Sequence, residues 1–142
     1  MALSQGSEGA PTPVPVAFLL CDQVISDEAT KKKTIVGVFD RILLGKFPGS
    51  HSPVAVYVRV VDAEGEYKLR VEYVQVASQS VLAVVDGTVH VKDRLRAGEF
   101  FIPLPPLPIP SPGEYEFRLW MNDRYIHRVR FNAVQQSTGG SQ

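Results

Sequence analysis

The chain holds a single cysteine, Cys21, so no intrachain disulfide can form and a reducing compartment is the expected setting. It has no surplus of charge either: fifteen Lys and Arg balance fifteen Asp and Glu. Nucleic-acid binders carry a basic excess or stripe, so nucleic acid is not an expected partner. Long apolar runs are missing. The stretch from Val14 to Cys21 is interrupted by Pro15 and has no positive flank, which fits neither a membrane span nor a secretory signal. No membrane partner is expected, and the expected location is cytoplasmic. Three histidines (His51, His90 and His127) and one cysteine show no zinc-ligand spacing. The sequence also lacks Gly-x-Gly-x-x-Gly, a Gly-Lys-Ser/Thr loop and Gly-x-Ser-x-Gly, so neither catalytic residues nor a cofactor are expected.

What is present points to one globular domain. Hydrophobic residues make up 44% of 142 and charged residues 21%. A chain of this size buries roughly two-thirds of its unfolded surface, enough to fold without a metal or disulfide. Low-complexity ends, 1–13 and 135–142, are expected to be mobile tails around a domain spanning 14–134. Between them helical periodicity is scarce and alternation is common.

The clearest strand is Tyr67 to Tyr73, apolar or aromatic at odd positions and charged at even ones. Val54 to Val61 precedes it, with valines on even positions. The four-residue linker Asp62-Ala63-Glu64-Gly65 predicts a hairpin pairing Val60 with Tyr67 and Val58 with Leu69. Near the carboxy terminus Tyr115, Phe117 and Leu119 share one face. A two-residue Asn122-Asp123 turn would set Phe117 opposite Arg128 and place arginines on the core face. A three-residue loop, Asn122-Asp123-Arg124, instead pairs Phe117 with Val129, Tyr115 with Phe131 and Glu116 with Arg130, and burial favours it. Further strands are expected over 16–25, 34–44, 81–91 and 99–104, with Asp86-Gly87 either a turn or a bulge. The expected fold is all-β, an antiparallel two-sheet immunoglobulin-like sandwich of about seven strands.

Two stretches carry resemblances. Pro112 to Phe117 resembles the start of the sixth strand of immunoglobulin-like domains, where a corner tyrosine, here Tyr115, bonds back to upstream backbone. The segment Leu20-Cys21-Asp22-Gln23-Val24-Ile25-Ser26-Asp27, followed by Val36-Gly37-Val38-Phe39-Asp40, resembles an uncharacterised bacterial family of small β-sandwich proteins. That resemblance covers most of the core and implies a fold without implying an activity.

Each candidate site has a plain alternative. Asp22, Asp27, Glu28 and Asp40 would form an oxygen-rich cation site if a first hairpin drew them together. Against this, Asp27 and Glu28 suit a solvated turn, and Lys31, Lys32 and Lys33 lie beside them. Cys21 sits in an apolar run and reads as a small core residue, with no histidine base placed near it. His127 is expected beside Leu119 and partly buried. The proline tract 103–112 is either a polyproline ligand or a covered crossover, and its large apolar residues Leu104, Leu107 and Ile109 favour the crossover. Arg118, Arg128 and Arg130 share the polar face of the last hairpin with Trp120 and Ile126, a composition interfaces favour. The expected function is a non-enzymatic protein-interaction or structural module whose partner is an unidentified protein or itself. The alternative is a small-ligand or divalent-cation module at the acidic hairpin.

Overall fold

A computed structural model describes residues 9–137. It contains twelve strands, and no helix stands among the described elements. In chain order they are β1 (Val14–Cys21), β2 (Gln23–Ser26), β3 (Lys33–Val36), β4 (Arg41–Leu44), β5 (Gly49–His51) and β6 (Val54–Val61). There follow β7 (Gly65–Gln75), β8 (Ser80–Val91), β9 (Gly98–Leu104), β10 (Leu107–Ile109), β11 (Gly113–Met121) and β12 (Arg124–Gln135).

The strands form a three-stranded sheet, β1-β6-β9, and a five-stranded sheet, β4-β12-β11-β7-β8, with two-stranded pairs β2-β3 and β5-β10. The protein is therefore all-β, with more strands than the seven expected and not wholly antiparallel, because β4 runs parallel to β12. Two extra strands arise where expected long segments break, and two short ones, β5 and β10, lie outside the expected strands. A bend at Asp22 separates β1 from β2, and residues 37–40 separate β3 from β4.

One buried cluster draws on both large sheets. Phe18, Leu20, Val56, Val58 and Val60 come from the three-stranded sheet; Tyr67, Leu69, Val71, Tyr73, Tyr115, Phe117, Leu119 and Phe131 come from the five-stranded one. Within it Tyr73 stacks on Phe117 at 4.9 Å and Tyr115 on Phe131 at 5.3 Å. Such aromatic pairs add about 0.5–1.5 kcal/mol each beyond the area they bury. Burial, and then neighbouring Tyr115, hold the Tyr73 phenol well above its ordinary pKa. It stays protonated and donates to Pro108 O at 2.8 Å, tying the proline crossover to the core.

The hairpin expected between β6 and β7 does not form. β6 pairs with β1 and β9, while β7 pairs with β8 and β11, so 62–64 carries the chain from one sheet to the other. Matching apolar rows suit strands that face each other across a core as well as strands that share a ladder. Alternation alone does not distinguish the two arrangements. Asp86 and Gly87 form neither a turn nor a bulge. They lie in the continuous part of β8 opposite Arg70 and Leu69, and the irregularity falls instead at Tyr73/Val74, where Leu82 is the extra residue.

The last hairpin keeps the expected register by a different device. Phe117 pairs with Val129, Tyr115 with Phe131 and Glu116 with Arg130, as the sequence predicts. The connection, however, is the two-residue Asn122-Asp123 turn, with Met121 opposite Arg124. Both turn residues have positive φ, 52° and 63°, which matches the right-handed twist of a tight hairpin. A bulge beyond Leu119, with Ile126 as the extra residue, then restores the register that keeps arginines off the core face. The bulge also packs Ile126 against the core cluster rather than among the surface arginines.

The crossover reading of the proline tract holds for two of its three large apolar residues, Leu104 being only partly covered. Leu107 and Ile109 are buried in β10, which pairs with β5. The expected mobile ends lie partly outside the described residues. Within those described, Pro13 is buried, Pro11 O accepts the Tyr67 hydroxyl at 2.7 Å, and β12 extends to Gln135.

Candidate functional site

The motif-like segment 20–40 proves to be a structural joint. Asp22 N–H donates to Val36 O at 2.9 Å, and Phe39 N–H donates to Leu20 O at 3.1 Å. Gly37 has φ +71°, and a Cβ there would displace the Asp22 carboxylate, so glycine is favoured on both counts. Phe39 packs edge-on against His51 and Phe131.

The four acidic residues of this region are not drawn together. Asp27 lies at the far tip of the β2-β3 hairpin, where its Oδ1 accepts N–H groups from Ala29 (2.8 Å) and Thr30 (3.0 Å). Those two bonds hold its carboxyl below the ordinary carboxylate range. Asp22 sits at the hairpin base against Gly37, Glu28 is exposed in the turn, and Asp40 precedes β4, its carbonyl accepting Asn132 N–H at 2.9 Å. Among the described residues no three His, Cys, Asp or Glu side chains group as metal ligands. Cys21 is fully buried and its thiol donates to Ala55 O at 3.6 Å. Burial, then the nearby Asp22 charge, pushes the thiol pKa up, the opposite of what a nucleophile needs. His127 pairs with Leu119 as expected but is exposed, its ring 6.3 Å from Phe18.

A network of charged residues converges on the outer face of β7, β11 and β12. Arg118 stands directly opposite Arg128, and Glu116 opposite Arg130. Two like charges face to face destabilise a strand pair. Glu116 offsets this, because its carboxylate meets all three guanidinium groups. Arg118 Nε donates to Oε2; Arg130 Nε donates to Oε1 at 2.7 Å; Arg128 Nη1 stands 3.9 Å from Oε1. Glu116 is 1% exposed, the sole buried charged residue among those described. Burial pushes its carboxyl up, but the hydrogen bonds and charges of Arg130 and Arg118 outweigh burial and hold it below the ordinary glutamate value. Arg118 reaches on to Gln79 Oε1 at 2.9 Å.

Trp120 continues this face towards the turn. Its indole N–H donates to Glu72 Oε1 at 3.0 Å, and its ring meets the Tyr125 ring edge-on at 5.5 Å. Arg70 stands opposite Trp120 and bonds Asp86 at 3.1 Å. Asn122 secures the turn by accepting Lys68 N–H at 2.9 Å and donating its own N–H to Lys68 O. The sequence brings forward Trp120 and the three arginines but not Glu72, Gln79 and Tyr125. Glu72 and Gln79 are placed by the β7–β11 pairing, which alternation did not reveal, and Tyr125 by the bulge that sets it opposite Trp120.

Fold and site together define a small all-β protein with an arginine, glutamate and tryptophan network on the outer face of its five-stranded sheet. Residues 16–134 match the profile of a family of unknown function, DUF6941, and the chain belongs to that family. No curated protein matches the chain. Among the described residues no helix is long and apolar enough to cross a membrane.

Proposed function

We propose that the chain is a non-enzymatic protein-interaction module that meets its partner through Trp120, Arg118, Arg128 and Arg130 on the outer face of β11 and β12. The observation that carries this reading is the posture of the arginines. Arg128 and Arg130 keep side chains 53% and 44% exposed above a carboxylate fixed in the sheet. Glu72 stands opposite Arg118 and Glu114 acts on Arg130, whereas Arg128 has only a 3.9 Å approach to Glu116 among the described ion pairs, so it is the guanidinium most open to a partner's carboxylate. Groups already held in place lose little entropy on binding, and Trp, Tyr and Arg are the side chains that dominate binding energy at protein interfaces.

The finer fold reading is an immunoglobulin-like sandwich. It is supported by Tyr115, fully buried, whose hydroxyl donates to Ser111 O at 2.6 Å as a corner tyrosine would. A cytoplasmic, bacterial setting rests on the single buried thiol and the family resemblance. A Trp120→Ala/Arg128→Ala variant tests the site. The wild-type protein should enrich a specific partner from native lysate, and the variant, melting within a few degrees of wild type, should lose it. Retention of the same partner by the folded variant contradicts the proposal.

A further inference from the structure

The strand β8 is the outer edge of the five-stranded sheet, and among the described residues it pairs with β7 alone. Twelve residues at about 3.3 Å each make an edge on the order of 40 Å long. Sheet edges are ordinarily protected by proline, bulges, basic side chains or brevity. The other described edges follow that rule. β1 carries Pro15 and a bulge, β9 carries Pro103, β4 has four residues, and the two-stranded pairs are three or four residues long.

β8 does not follow it over most of its length. Its sequence, Ser-Val-Leu-Ala-Val-Val-Asp-Gly-Thr-Val-His-Val, has no proline, lysine or arginine. Beyond the irregularity at Leu82, residues 83–91 run in unbroken register with β7. Val81 and Val84 are 48% and 42% exposed. On the core side, an apolar groove separates Ala83 and Val85 from Leu104, Pro106 and Leu107, so the core's cover stops short of this strand.

We infer that β8 pairs antiparallel with β8 of a second copy of this chain, joining two five-stranded sheets across a two-fold axis. A self-complementary edge suits this occupant. Its one full charge, Asp86, is already bonded to Arg70, so two copies meet without opposed rows of like charge. Centring the regular stretch on Gly87 sets Asp86 opposite Thr88 of the second copy, Val85 opposite Val89, Val84 opposite His90 and Ala83 opposite Val91. Every pair then shares a face, and Gly87, with open space where a Cβ would stand, allows close approach at the axis. The shared ladder is smaller than a standard interface of about 1,600 Å², so the dimer is weak and dissociates on dilution.

Sedimentation of the full chain from micromolar to several hundred micromolar tests the pairing. The wild type should shift from monomer to dimer with concentration. Val84→Lys/His90→Lys, which sets lysines opposite each other on both sides of the axis, should stay monomeric while melting like the wild type. A Gly87→Cys variant provides an independent readout. Directly opposed Cα atoms in an antiparallel pair lie about 4.5–5.5 Å apart, within disulfide reach. Mild oxidation should therefore yield a disulfide-linked dimer through residue 87, with Cys21 still reduced. A wild type that is monomeric throughout overturns the inference. So does a dimer that the lysine pair leaves intact, or a Gly87→Cys protein that does not cross-link at concentrations where the wild type dimerises.

Discussion

Replacing Glu116 by glutamine is the sharpest physical perturbation of the surface. It keeps the side chain's size and removes the charge that holds Arg118 and Arg130. A hydrogen bond to a charged group contributes about 1.5–3 kcal/mol, and breaking a fully buried ion pair costs about 3–5 kcal/mol. Here the guanidinium side chains are 25% and 44% exposed and can turn to water, so the cost falls at the low end, about 2–3 kcal/mol. With an unfolding entropy of about 2.1 cal/mol/K per residue, a domain of this size loses roughly 4 °C per kcal/mol, or about 8–12 °C in Tm. The pH dependence distinguishes this cause from a simple packing defect. Because the folded-state pKa of Glu116 is depressed, its stabilisation is fully present above the unfolded value of about 4.3 and is lost as pH falls through the folded value. The gap between wild type and Glu116→Gln in thermal melts should be full at pH 7 and close as the pH drops below about 4. A Tm within about 2 °C of wild type at pH 7, or a gap that persists unchanged in acid, would refute the reasoning.

Two further outcomes follow from buried groups. Tyr115→Phe removes the hydroxyl that serves Ser111 at both its carbonyl and its N–H, and should cost about 1–3 kcal/mol in denaturant titration with no change in oligomeric state. An equally stable variant would remove the corner from the account of the fold. Cys21, buried and with its pKa raised, should resist a thiol-specific reagent in the native protein and react fully once unfolded; rapid native labelling would contradict its placement.

The parts of the fold legible in the sequence are those governed by burial along one strand pair. Alternation in β11 and β12 yields the Phe117–Val129 register, because a slip of one residue would bury arginines. The turn that achieves it was not legible, since a three-residue loop and a two-residue turn plus bulge give the same pairing below the bulge. Long-range partners were least legible: Tyr67 to Tyr73 shows which side chains face inward, but not whether the neighbouring strand is β6 or β8. The β7–β11 pairing was equally hidden, and with it Glu72 and Gln79, which reach Trp120 and Arg118 only once β7 lies beside β11. Glu116 reads as an ordinary member of a charged row, and its burial appears only with three arginines folded over it.

The most direct test of the interaction surface is site-specific photo-crosslinking in cells. A photoreactive phenylalanine analogue at Tyr125, half exposed beside Trp120, is compared with one at Leu95, which is 93% exposed. The account predicts a discrete protein adduct at position 125 that Trp120→Ala abolishes, and no such adduct at position 95. No adduct at 125, or the same adduct from both positions, would contradict it.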